Sequence, residues 1–156
     1  MNGIDTNAAT ESSLTPAERD DLRAIAAMMI PESAGYKVPG ADDPLIQADI
    51  LATLGRDTAR MRAALDHIAR LAGQPLAALD PPRREVVARE FRATGGVAAA
   101  TLARVILQCY YRDDRVLKSL KLELRPPFPL GYALEQGDWS LLDPVKARPS
   151  MWRRAP

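Results

Sequence analysis

The chain has 156 residues, with 21 Lys or Arg against 20 Asp or Glu and a net charge of +1. That length makes one domain with a sizeable core the expectation, and leaves little room for a cofactor domain beside a substrate domain. The near-neutral balance argues against a dedicated nucleic-acid binder, and no apolar run approaches the ~18 residues needed to cross a bilayer. A single cysteine, Cys109, rules out an intramolecular disulfide framework, and a single histidine, His67, argues against His-rich metal sites. Apolar residues make up 47% of the chain, but 26 residues are Ala and aromatics are only 5%. The core must therefore come from close helix contacts more than from large side chains.

Residues 1–14 are polar and acidic, without Lys or Arg, and read as a flexible arm. A secretory signal needs a basic start followed by an apolar run of about 7–15 residues, and neither is present. The pairs Arg83-Arg84 and Arg153-Arg154 are not N-terminal and precede no apolar run. The expected location is the cytoplasm by this sequence alone, or the periplasm when the chain is carried out folded onto a partner that bears the signal.

Thr15-Pro16-Ala17-Glu18 is a capping box with Pro in the first helical position. Leu22, Ile25, Ala26, Met29 and Ile30 then follow helical spacing, and Pro31 ends the helix. Residues 31–43 carry two Gly and two Pro and read as a loop. Asp43-Pro44 starts a second helix with Leu45, Ile46, Ile50, Leu51 and Leu54 on its apolar face. Gly55 is either the end of that helix or a dent in a longer one. Met61, Leu65, Ile68 and Leu71 mark the next helix, closed by Gly73 and Pro75. Asp80-Pro81-Pro82 opens another, bearing Val86, Val87 and Phe91 and broken by Gly95-Gly96. Ala98, Leu102, Val105, Ile106 and Cys109 mark the last long helix, and Asp113 caps a short one with Val116, Leu117 and Leu120. No segment alternates in the manner of a strand. The expectation is an all-α fold, a small bundle of five to six helices over residues 15–124.

From Arg125 the composition changes. Residues 125–156 are rich in Pro, show no useful helical period, and hold Phe128, Tyr132, Trp139 and Trp152, half of the aromatics in the chain. A disordered tail is normally poor in aromatics. The segment reads as an extended, irregular strap with spaced anchors, and Pro lowers the entropy lost when such a strap docks. It packs either on its own helical body or on a partner. Charge is uneven as well: residues 1–43 carry a net −5 and residues 144–156 a net +4.

Catalytic signals are weak. His67 lies mid-helix beside Asp66, without the orienting acid and nucleophile of a triad, and reads as a partly exposed helix histidine. Cys109 falls on an apolar stripe and reads as a buried structural thiol. The acid pairs Asp20-Asp21, Asp42-Asp43 and Asp113-Asp114 diverge by about 100° on a helix, and two of them sit where caps belong. No GxGxxG or Walker pattern is present. The chain is expected to hold no catalytic residue, cofactor or metal of its own.

Several stretches in order, LTPAERDDLRAIAAMMIPES, a Gly-Ala-Asp loop, YYRDDRVLKSL, RPPFPLGY and GDWSLLDPV, resemble the gluconate 2-dehydrogenase subunit 3 family. The resemblance spans roughly residues 14 to 145. It implies a small, non-catalytic helical subunit of a flavin-dependent dehydrogenase of the glucose–methanol–choline type. In that family the large subunit holds FAD and oxidises a sugar, polyol or sugar acid, and a haem c subunit often takes the electrons. The small subunit supports folding, stability or export of the large one. Many members carry a twin-arginine signal, which this N-terminus lacks, so the resemblance carries the assembly role more strongly than the export role.

Position by position, the resemblance implies a partner interface at Tyr110, Tyr111, Arg125, Pro126, Pro127, Phe128, Pro129, Gly131, Tyr132, Asp138, Trp139 and Leu142. The residue-level reading agrees with a surface-lending role, and a stand-alone helical binding or regulatory module fits the same features.

Overall fold

The computed structural model describes residues 14–124, 131 and 136–149. The chain divides into two compact units, Met1–Leu124 and Arg125–Pro156. The fold is all-α, with seven α-helices and no named strand among the described residues. Six of the helices build the first unit.

Local chemistry sets where each helix begins. Helix α1 is Pro16–Met29. Glu18 N–H donates to Thr15 Oγ1 at 3.2 Å, and Thr15 N–H donates back to Glu18 Oε2 at 2.6 Å, so the capping box satisfies two of the free donors at the helix start. Helix α2 is Pro44–Thr53, with Asp43 Oδ1 accepting from Leu45 N–H at 2.9 Å. Gly55, at φ +41°, ends it and begins a 3-10 turn, Gly55–Asp57, that leads into α3, Thr58–Ala72. Gly55 is therefore a true helix end. Gly73, left-handed at φ +71°, closes α3. A 3-10 turn at Leu76–Ala78 precedes α4, Pro81–Thr94, whose cap Asp80 accepts from Arg83 N–H at 2.8 Å. Helix α5 is Gly96–Tyr110 and α6 is Asp114–Ser119, the latter capped by Asp113.

Only Gly95 separates α4 from α5. A Cβ at this position would lie 2.6 Å from Ala99 Cβ and 2.7 Å from Phe91 O, so the two helices meet too closely for any side chain.

Helix α3 is central. It packs against α1, α4 and α5, while α2 packs against α5. Met61, Ala64, Leu65, Ile68 and Ala72 of α3 meet Leu102, Val105, Ile106 and Cys109 of α5, with Leu22, Ile25 and Ala26 of α1 and Val87 and Phe91 of α4 completing one core. Leu14 belongs to that core as well. At 2% exposed it corrects the expectation of a free arm over residues 1–14. Its carbonyl accepts from Arg19 Nε at 2.9 Å, which fixes the entry to α1. The other residues of that arm lie outside the described residues.

Two apolar faces are rotated from the expected ones. Leu45 is 68% exposed, because α2 turns Ile46, Ile50 and Gln47 inward, and Gln47 Nε2 donates to Ala41 O at 2.8 Å. Val86 is exposed, while Val87 and Phe91 at four-residue spacing are buried.

The loop over residues 31–43 is pinned at several points. Ser33 and Val38 form an isolated antiparallel bridge, and Ala41 N–H donates to Ile30 O at 2.9 Å. In the second unit a 3-10 turn, Trp139–Leu142, runs into a one-turn helix α7, Asp143–Lys146, in a stretch whose sequence shows no helical period. Asp138 caps the 3-10 turn, and Pro144 sits in the first turn of α7.

The central position of α3 makes a definite demand on stability. Ile68→Ala is expected to destabilise the fold by about 2–5 kcal/mol in urea unfolding, while Leu45→Ala stays within about 0.5 kcal/mol.

Candidate functional site

The residues implied as a partner interface fall into three groups. Tyr110 is a core residue at 5% exposed, which corrects its assignment to the interface. It follows Ile106 by four residues on the buried stripe of α5. Its hydroxyl donates to Pro39 O at 3.2 Å, and its ring stands edge-on to Tyr111 at 5.3 Å. It thus holds the loop over residues 31–43 against α5.

Tyr111, Gly131, Asp138, Trp139 and Leu142 form the second group, all exposed. Tyr111 is 52% and Trp139 66% exposed. Gly131 is left-handed at φ +66°. Asp138 caps the 3-10 turn, accepting from Ser140 N–H at 3.0 Å, and the Ser140 hydroxyl and amide hold its carboxyl below the usual range. Trp139 Nε1 donates to Gln136 Oε1 at 3.3 Å. Arg125, Pro126, Pro127, Phe128, Pro129 and Tyr132 lie outside the described residues.

An arginine-centred cluster that no local sequence pattern marks joins two helix starts of the first unit. Arg115, in the first turn of α6, forks onto two helix caps at once. Its Nη1 and Nη2 donate to Asp43 Oδ2 and Oδ1 at 3.0 and 2.8 Å, and its Nε and Nη2 donate to Asp113 Oδ1 and Oδ2, both at 2.9 Å. Planar guanidinium geometry makes such double forks possible. The Arg115 hydrogen bonds hold both carboxyls below the usual range and raise the guanidinium further. Each Asp thus serves its own helix through a backbone N–H and the tertiary fold through Arg115. The one sequence signal was the cap assignment of Asp43 and Asp113; that a single cation would join them was not visible.

A second carboxylate-centred group lies at the start of α3. Asp57 accepts from Arg104 Nη2 at 2.7 Å and has Arg60 Nη1 at 3.8 Å. The Arg104 hydrogen bond, with the positive charges of Arg56 and Arg60, keeps the Asp57 carboxyl below its ordinary range. Arg112 forks onto Asp49 of α2, and Arg104 Nη1 also donates to Gln108 Oε1 at 3.0 Å.

The two candidate nucleophile or base residues occupy structural positions. Cys109 is buried, with Thr53 Oγ1 at 3.4 Å and Arg112 Nη2 at 3.6 Å from its sulfur, and burial pushes its thiol up. His67 stacks edge-on against Phe91 at 5.5 Å and places Nε2 3.3 Å from Thr94 Oγ1. Among the described residues no group of three or more His, Cys, Asp or Glu is arranged to hold a metal ion. Nor is any described helix long and apolar enough to cross a membrane.

No family model matches the chain, and neither a curated protein nor a solved structure does.

The Arg115 fork has a pH signature. Its two carboxyls have folded pKa values below their unfolded ones, so their contribution is fully present above the unfolded values and is lost as pH falls through the folded ones. Stability is expected to fall below about pH 4. Arg115→Met is expected to remove about 1–2 kcal/mol at neutral pH, because the guanidinium is partly solvated, and to flatten the acid limb of the unfolding curve. Cys109 is expected to react with a thiol reagent in the native state at least tenfold more slowly than in the urea-unfolded chain.

Proposed function

We propose that this chain is a non-catalytic accessory subunit that binds and stabilises a larger FAD-dependent dehydrogenase of the glucose–methanol–choline type, aiding its folding, assembly or export. The flavin and the reaction belong to the partner. The sequence resemblance over residues 14–145 names the partner class. The observation that carries the surface-lending role is the exposed apolar material from the end of α5 onward. Leu107 and Tyr111 are exposed there, and Leu120, Leu122 and Leu124 are exposed at alternate positions after α6. In the second unit Trp139, Leu141 and Val145 are exposed.

Scattered exposed apolar residues need no explanation, but each unit by itself exposes an aromatic with aliphatic neighbours in sequence, Tyr111 in the first and Trp139 in the second, and Tyr and Trp are among the residue types enriched at protein interfaces. The titratable side chains of the first unit support the same reading. Asp43, Asp49, Asp57 and Asp113 are each bound to arginines that join one helix to another, so their chemistry is structural. Burying one large aromatic in a partner contributes about 2–3 kcal/mol through apolar area. A few such anchors make the large subunit depend on the small one through mass action on its folded state.

Co-expression with the flavoprotein of an adjacent reading frame tests the proposal. The chain is expected to co-purify with a yellow protein of several hundred residues. Tyr111→Ala and Trp139→Ala are each expected to lower the melting temperature of the complex by several degrees. A flavoprotein equally stable without this chain, or a complex unaffected by both substitutions, overturns the proposal.

A further inference from the structure

A cleft of about 290 Å3 opens in the first unit between the end of α2 and the outer side of α5. Thr53, Arg56 and Asp57 line one side, and Arg104 and Gln108, one turn apart on α5, line the other with Arg112 in the turn just past its end. Three arginines therefore line this cleft against one lining carboxylate, Asp57, which Arg104 binds, while Arg112 is paired with Asp49 outside the lining.

Much of their hydrogen-bonding capacity is unspent. A guanidinium has five N–H donors. Arg112 commits Nε and Nη2 to Asp49, leaving Nη1. Arg104 commits Nη1 to Gln108 and Nη2 to Asp57, leaving Nε. The Arg56 side chain is exposed and makes no hydrogen bond among the described residues, yet its charge acts on the neighbouring Asp57 carboxyl. The Arg112 fork onto Asp49 and the single Arg104 contact to Asp57 hold two of the three arginines in place, so the ordering cost of a bound anion is partly met before it arrives.

We infer that this cleft is a binding site for a phosphate-type oxyanion, with Arg56, Arg104 and Arg112 as its cationic walls. A carboxylate offers two oxygens in one plane, which suits a single fork. The unspent donors belong to three arginines, one in the 3-10 turn, one on α5 and one in the turn after it, and a tetrahedral anion with oxygens in several directions matches that arrangement. Arg104 and Arg112 are about half exposed, so the attraction is screened and the site is weak and salt-dependent. A dissociation constant of roughly 1 mM is the expectation at low ionic strength. The site does not depend on the accessory role proposed above.

Titration of the full chain with inorganic phosphate, followed by nitrogen–proton NMR with ionic strength held constant by chloride, tests the inference. Saturable shifts are expected at the Arg56 and Asp57 amides and at the Arg104 Nε–H. Arg56→Gln is expected to weaken binding about three- to tenfold without lowering the melting temperature, and Arg56→Lys to restore part of the loss. Arg70→Gln, an exposed charge at the end of α3, changes net charge equally and is expected to leave binding unchanged. Shifts that fail to saturate, or that are equal in chloride alone, overturn the site. So does a loss in Arg70→Gln equal to that in Arg56→Gln.

Discussion

Helix α3 touches three other helices of the body, and its stripe of Met61, Ala64, Leu65, Ile68 and Ala72 is the surface on which they meet. With so much Ala in the chain and so few aromatics, this core does not rest on aromatic bulk. It relies on close approach instead. Small side chains let helix backbones come near, and the larger Leu, Ile and Met side chains of α3 and α5 fill the remaining space at interior density. A cavity opened at the centre of such an arrangement has few neighbouring bulky groups to collapse into it, which is why stability concentrates on α3.

Around this apolar centre the polar chemistry is used to hold helix ends together. Asp43 and Asp113 begin as local caps, each meeting backbone donors of its own helix. Arg115 converts the two local devices into one tertiary contact between the starts of α2 and α6. Arg104 of α5 with Asp57, and Arg112 just past α5 with Asp49 of α2, add two further contacts between elements, with carboxylates that make no cap bond. The arginines thus bind helix to helix through planar, directional contacts at the periphery, where a surface Lys would supply only a point charge.

The helix starts at Thr15, Asp43, Asp80 and Asp113 were legible because capping is a matter of three or four neighbouring residues. So were the buried stripes of α3 and α5, whose spacing is regular. The rotation of α2 was not, because the burial of Gln47 in place of Leu45 depends on a carbonyl at Ala41 that only the folded loop brings near. Tyr110 and Tyr111 look alike in sequence, yet one closes the core and the other faces solvent. Their adjacency on a helix guarantees divergence without saying which turns inward. The arginine forks were illegible for a different reason: Asp43 and Arg115 are far apart in the chain, and nothing local marks either as the other's partner. The cleft lined by Arg56, Arg104 and Arg112 was hidden in the same way, since its walls come from separate elements.

The single-residue joint at Gly95 has a consequence for how this sequence can change. With one residue between α4 and α5, there is no slack to absorb a change in length. One inserted residue in α5 beyond the joint advances everything after it by about 100° around the axis. Leu102, Val105 and Ile106 would swing away from α3, and the arginine side of the helix would turn inward. Related chains that keep this architecture should therefore vary freely in the length of their outer loops while holding the register between Phe91 and Ile106 constant.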